Sequence, residues 1–293
     1  MKILICSDGM SAAENAMRLG AAVAAPLKAD VILLGVAEKP EDESSLQRAL
    51  EKQADALRVQ NVSPKIEMCA GDPVRRIADE TAKTEYDLVI VGARKTGVTG
   101  LHWRSEKMYE LIKSISPPVL VAMGEWAQLK RFLVCTGGKE FIEEAVQLTG
   151  KLAKAVGASV TLLHVMAEPP AIYADLVRLE EDVDRLMASK SELGMNLSAQ
   201  KAVLEKLGVP AEVRIRHGIV VDQVFAEARA QHYDLVVTGS SRARGVLRHY
   251  IMGDLTRTIL NHASCPVLVV RAGSMAAPRS FWRSIRRAFA GKS

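Results

Sequence analysis

No apolar run in this 293-residue chain reaches the roughly 18 residues that a membrane-crossing helix needs. The sequence therefore offers no candidate for a transmembrane helix. Cysteine is scarce: Cys6, Cys69, Cys135 and Cys265 are the four present, and no two form a CxxC pair. A disulfide framework and the common zinc spacings fall away with them, leaving reduced and mostly buried thiols. The six histidines show no HExxH or other ligand spacing, so no metal site is expected. GxSxG, GxxxxGK[ST] and GxGxxG are all missing. GARKTGV (92–98) has the glycine spacing of a P-loop, but Val98 stands where the lysine belongs. No group makes a convincing general base, and no catalytic residue is assigned; any ATPase activity would be slow. The N-terminal MKILICSDG leads directly into a strand-like segment and has no secretory signal architecture. A cytoplasmic protein is expected.

Acidic residues are missing from one place, and that absence explains the net charge. Residues 279–293, RSFWRSIRRAFAGKS, hold Arg279, Arg283, Arg286, Arg287 and Lys292 and no acid. The whole-chain charge of +5 thus belongs to this tail, and residues 1–278 sum to zero. The globular part lacks the basic footprint of a nucleic-acid binder. On a helical wheel the tail puts Phe281, Trp282, Ile285, Ala288 and Phe289 on one face and the arginines on the other. That pattern suits a helix lying on an anionic membrane surface, at the inner face. A tail docked on its own protein, or a disordered basic tail, accounts for the same composition.

What is present is a repeat. KILICSDGMSAAENAM (2–17) aligns with RFLVCTGGKEFIEEAV (131–146), and ADVILLGV (29–36) with ASVTLLHV (158–165), both at an offset of 129. YDLVIVG (86–92) aligns with YDLVVTG (233–239) at an offset of 147, and PPVLVA (117–122) with CPVLVV (265–270) at 148. The chain is a tandem duplication, and about 18 extra residues enter the second copy near the helical stretch 175–206. Expected boundaries are 1–124 and 129–272 for the two domains and 273–293 for the tail.

Each copy alternates short apolar runs with amphipathic stretches. The runs KILIC, VILLGV, KIEMC, LVIVG and VLVA are continuous, as in parallel strands covered on both faces. Between the first two, Ser11 and Glu14 have capping-box spacing, and Ala13, Met17, Gly20 and Ala24 share a helical face. Strand–helix–strand order predicts an α/β fold: two tandem doubly wound domains, each a five-stranded parallel sheet with helices on both faces. GEWAQLK (124–130) is a short linker, so the domains should pack together. Each copy ends in an apolar edge strand, a pairing hazard that is removed if the two edges pair about a pseudo-two-fold axis.

Ligands of such sheets bind beyond the strand C-termini, where strand order reverses. The segments there are Ser7-Asp8-Gly9, Val36-Ala37-Glu38, and the loops that begin at Gly92 and Gly239. With this order of segments, and above all with YDLVVTGSSRARG…CPVLVV, residues 1–272 resemble the universal stress protein family. The resemblance implies a five-strand parallel sheet per domain and, in many members, ATP binding at a loop reading G-x-x-G, nine residues, then G-[ST].

Carried over residue by residue, the resemblance implies adenine-nucleotide contacts at Asp8, Val36 and Gly92 in copy one. In copy two it implies contacts at Val165, Gly239, Ser240, Arg242 and Gly253. ATP or another adenine nucleotide, with or without Mg²⁺, is the implied cofactor. Neither loop is intact. In copy two Arg242 replaces the second glycine, ten residues precede Gly253, Asp254 replaces the Ser/Thr, and Gly137 replaces the acid after strand one. Copy one keeps that acid as Asp8, but Lys95 replaces the second glycine, and the motif ends on Ser105-Glu106. Side chains at glycine positions obstruct the approach of backbone N–H groups to phosphate, whereas Arg242, Arg244 and Arg248 could replace them with charge-assisted bonds. Each candidate also has a plain structural reading. Asp8 can accept a bond from the start of the next helix, and Gly92 and Gly239 can simply let the chain leave the sheet.

Two functions follow. One is a nucleotide-binding stress-response module that changes partners with nucleotide state. The other is a nucleotide-free tandem scaffold or interaction protein. A homodimer of the tandem chain is compatible with either, because internal edge pairing leaves other surfaces open.

Overall fold

The computed structural model describes residues 1–93, 103–124, 126–137, 143–167, 183–240 and 255–271. Copy one runs β1 (Lys2–Ser7), α1 (Ser11–Leu27), β2 (Asp30–Ala37), α2 (Glu43–Val59), β3 (Lys65–Ala70), α3 (Pro73–Lys83), β4 (Leu88–Gly92), α4 (Trp103–Ser114) and β5 (Val119–Ala122). Copy two runs β6 (Arg131–Thr136), α5 (Glu143–Val156), β7 (Ser159–Met166), α6 (Val183–Ala188), α7 (Glu192–Lys206), β8 (Ala211–His217), α8 (Val220–Gln231), β9 (Leu235–Ser240), α9 (255–262) and β10 (Val267–Arg271).

The ten strands form one sheet in the order β3-β2-β1-β4-β5-β10-β9-β6-β7-β8. Within each copy every pairing is parallel. The expected five-stranded, doubly wound α/β domains are therefore present. The copies meet where β5 and β10 pair antiparallel, with Val119 opposite Val269, Leu120 opposite Leu268 and Val121 opposite Val267. All six side chains are buried. The apolar strand that would otherwise be an exposed edge becomes the centre of the sheet.

Helices cover both faces. One core holds side chains of α1, α2, α5 and α7 against the sheet, and the other those of α4, α3, α8 and α9. The face foreseen for α1 is buried at Ala13, Met17 and Ala24. Its start differs from expectation. Met10 is the N-cap and makes no side-chain capping bond, while Ser11 is already the first helical residue. The S-x-x-E spacing therefore lies one position inside the helix. By contrast, α3 begins with a Pro at its first position behind Asp72, whose carboxylate accepts from the Arg75 N–H at 3.0 Å.

The same polar pin recurs at the lower end of each copy. The Lys2 N–H donates to Asp87 Oδ2 at 2.7 Å, and the Lys130 and Arg131 N–H groups donate to Asp234 Oδ2 at 2.8 and 2.9 Å. Each bond ties the first strand of a copy to the residue preceding its fourth. The linker, between Ala122 and Arg131, turns at Gly124, whose φ is +67°. A Cβ there would overlap the backbone carbonyl of Ser264 across the seam. Both the dihedral and the close approach require glycine. Gly124→Val is expected to lower unfolding stability by about 2 kcal/mol or more, measured as a lower urea midpoint at unchanged slope.

Candidate functional site

Because β5 and β10 run antiparallel, the strand C-termini of the two copies open at opposite ends of the sheet. Strand order reverses between β1 and β4 in copy one and between β6 and β9 in copy two. Those are the two crevices in which a ligand of this fold would sit.

In copy one the register sets Ile5 opposite Ile90, so Ser7 and Gly92 end their strands at one level. Asp8 follows immediately beyond the tip of β1. Val36 lies one strand over, at the buried tip of β2. The three copy-one residues named from the sequence are thus neighbours at one mouth. The Asp8 carboxylate accepts from the Met10 N–H at 2.9 Å, which gives it the helix-start role foreseen as its plain reading. Gly9 follows with φ +74°, and a Cβ there would lie 3.1 Å from Leu46 and 3.2 Å from Ala49 on α2. Helix α2 thus closes over the tip of β1.

In copy two, Gly239 and Ser240 end β9, paired with Val270 and Arg271 of β10. Val165 lies near the end of β7, opposite Arg216. Gly137 follows Thr136 at the mouth, and among the described residues a Cβ on it would meet nothing within 4 Å. Arg242 and Gly253 lie outside the described residues, as do Lys95, Arg244, Arg248 and Asp254.

Sequence reasoning missed a pair of polar contacts just beneath both mouths. The Ser7 hydroxyl donates to Gln53 Oε1 at 2.8 Å and accepts from the Gly9 N–H at 3.0 Å. The Thr136 hydroxyl donates to Gln200 Oε1 at 2.9 Å, with both residues buried. Gln53 and Gln200 are related by the 147-residue offset, so extending the self-alignment through α2 and α7 would have found them.

A second feature belongs to copy two alone. His164 stands where copy one has Gly35, and its Nδ1 donates to the Thr136 carbonyl at 2.9 Å. That bond gives the ring a partner on the neighbouring strand. His217 Nε2, on the same face of neighbouring β8, is buried without a partner. Burial pushes His164 below the ordinary imidazole value; the bond to Thr136 opposes this, and the His217 charge adds to it.

The four thiols are free. Burial raises all of them, with Cys135 and Cys265 pushed up to about 12, so none is a poised nucleophile. Among the described residues no group of three or more His, Cys, Asp or Glu side chains could hold a metal ion. No described helix is long and apolar enough to cross a membrane.

Comparison with known proteins places this geometry. The sequence profile of the universal stress protein family matches residues 1–122 and again 128–271. Universal stress protein YxiE of Bacillus subtilis is 26% identical over 147 residues, covering 48% of this chain and 98% of the relative. A universal stress protein of Methanocaldococcus jannaschii is 25% identical over 142 residues, covering 48% of this chain and 82% of its own. Among solved structures, a universal stress protein from Archaeoglobus fulgidus superimposes with a TM-score of 0.62 at 16% identity. It covers 93% of this chain and 98% of that one. A putative universal stress protein from Pseudomonas aeruginosa gives 0.65 at 15% identity, with 92% of each chain covered.

His164 makes a checkable contribution to pH dependence. Its pKa is lowered on folding from the reference 6.5, so the unfolded chain binds the proton first as pH falls. Its share of stability is complete above about 6.5 and is lost as pH drops toward the folded value. In a His164→Gln variant, the fall in urea midpoint between about pH 6.5 and 5 should be shallower than in the parent, and the His164 ring proton in the parent should titrate below free imidazole by NMR.

Proposed function

The chain belongs to the universal stress protein family, and on that premise we propose that it is an adenine-nucleotide-binding regulatory module of the stress response. Copy one carries the better-preserved site. The observation that supports this reading is that Asp8 follows the tip of β1 at the level where β4 ends on Gly92, beside the buried tip of Val36. In this arrangement the Asp8 carboxylate faces the nucleoside, and the backbone leaving β4 at Gly92 approaches the phosphates, with or without Mg²⁺. Copy two contributes Val165, Gly239, Ser240, Arg242 and Gly253, but Gly137 withholds the acid. The domain boundaries proposed are 1–124 and 129–272, with 273–293 as a separate tail. A nucleotide-free scaffold that acts through protein contacts alone is the competing reading, favoured by the lost glycines in both loops.

Calorimetry of the full chain with ATP, ADP and AMP, with and without Mg²⁺ or Mn²⁺, separates the two. One site per chain, weaker than micromolar and lost in Asp8→Ala, is expected. Gly239→Val should remove any weaker second site. Because Gly137→Asp restores the acid that copy one keeps as Asp8, and a side chain there meets none of the described residues, it should strengthen copy two. Tight binding in both copies of the parent, or none in either, overturns the assignment.

The tail supports a second activity. The tail lies outside the described residues, and on a helical wheel its sequence sets Phe281, Trp282, Ile285, Ala288 and Phe289 opposite four arginines, the chemistry of contact with an anionic membrane surface. Co-sedimentation with anionic vesicles should be strong for the full chain and absent for a variant ending at Ala272. Equal sedimentation removes the membrane role.

A further inference from the structure

The pseudo-two-fold seam is not symmetric. At one end Arg271, the last residue of β10, reaches across to copy one. Its Nη1 donates to the carbonyls of Ile112, Lys113 and Ile115 at 3.3, 2.8 and 3.0 Å. Those carbonyls end helix α4, where the backbone leaves acceptors unpaired and the helix dipole favours a cation. The 148-residue offset maps Ile112, Lys113 and Ile115 onto Leu260, Asn261 and Ala263 at the end of α9, and maps Arg271 onto Met123. Met123 has no donor. A cavity of about 730 Å³ stands at this end, lined by Met123, Leu260, Asn261 and Ala263. None of the described hydrogen bonds goes to the carbonyls of those last three residues.

Two more observations bear on the same space. Asn261 Oδ1 and Trp126 Nε1 are both buried without a partner among the described residues, and both residues line the cavity. An unpaired buried polar group is costly, and each unexplained one asks for a reason. The Asn261 amide turns about a soft terminal torsion, which can bring its oxygen to the cavity wall. Two charged residues also line it. Asp234 is occupied by the Lys130 and Arg131 N–H groups, while Arg229 forms no ion pair among the described residues. The volume lies in the roughly 300–1,000 Å³ range of small-molecule sites.

We propose that this seam cavity binds a small zwitterion with a guanidinium or ammonium head, a free basic amino acid. The head takes the place that Arg271 fills at the opposite seam, donating to the end of α9 and to Asn261. The carboxylate lies toward Arg229 and the Trp126 N–H. Both copies and the linker build the site, so an occupant would brace the seam. Its chemistry is distinct from that of the nucleotide crevices.

The full chain is titrated with L-arginine and with L-norvaline, which keeps the zwitterion and lacks the head, by calorimetry and thermal melting. Arginine should bind once per chain and raise the melting temperature; norvaline should do neither. Met123→Arg supplies the guanidinium from within, as Arg271 does at the other end. It should raise the melting temperature without ligand and weaken arginine binding by at least about tenfold. Asn261→Asp adds a carboxylate beside the head and should tighten arginine binding, which keeps the test decisive should Met123→Arg not fold. Equal responses to arginine and norvaline, unchanged arginine affinity in Met123→Arg, or no tightening in Asn261→Asp would each overturn the proposal.

Discussion

Antiparallel pairing of β5 with β10 is the contact on which the rest of the molecule depends. Each copy alone would end in an apolar strand with one row of backbone groups unpaired, an open invitation to aggregation. Placed edge to edge, the two strands satisfy each other's backbone and bury six Val and Leu side chains. Full burial of such a side chain contributes about 1.5–3 kcal/mol. The pairing also dictates the functional layout. It turns the strand tips of one copy away from those of the other, so the crevices cannot share a ligand. It also places the tip of β5 and the linker against the lower end of copy two, which creates the seam cavity.

Some contacts recur in both copies and hold the fold, while other positions have diverged between them. The recurring set includes the Asp87 and Asp234 pins and the hydroxyl–glutamine bonds beneath the mouths. It also includes a tyrosine donating to a helix glutamate, Tyr86 to Glu80 at 2.6 Å and Tyr233 to Glu227 at 3.0 Å. In copy two that glutamate is almost fully buried and is neutralised by Arg214 and Arg216 of β8. A buried carboxylate needs such partners, because removing them would leave an uncompensated charge. The divergent set comprises Asp8 against Gly137, Gly35 against His164, and Met123 against Arg271. The first pair lies at the strand tips and the last at the seam, whereas at Gly35 a side chain would run into Leu50 of α2.

The strands were the most legible part of the fold. Continuous apolar runs such as KILIC and VLVA can only be fully buried, and the repeat doubled the evidence for each. Helix ends were harder to read. Ser11 and Glu14 have the spacing of a capping box, yet the helix begins one residue too early for it, because the backbone turns at Gly9 and Met10 before entering α1. Asp8, Val36 and Gly92 were readable as strand-tip residues, and they do stand at one mouth. The bonds of Ser7 to Gln53 and of Thr136 to Gln200 were not read, because residues 46 and 64 positions apart meet only after the helices dock.

By itself the sequence determined the two-fold repeat, the strands, the buried faces and the candidate mouths, because periodicity and self-similarity are local or translational properties. Tertiary structure alone decided which carbonyls meet Arg271 and which face the cavity at Met123. It also decided that α2 closes over Gly9. Those facts depend on close approach between segments far apart in the chain, and no pattern along the chain encodes a distance across it.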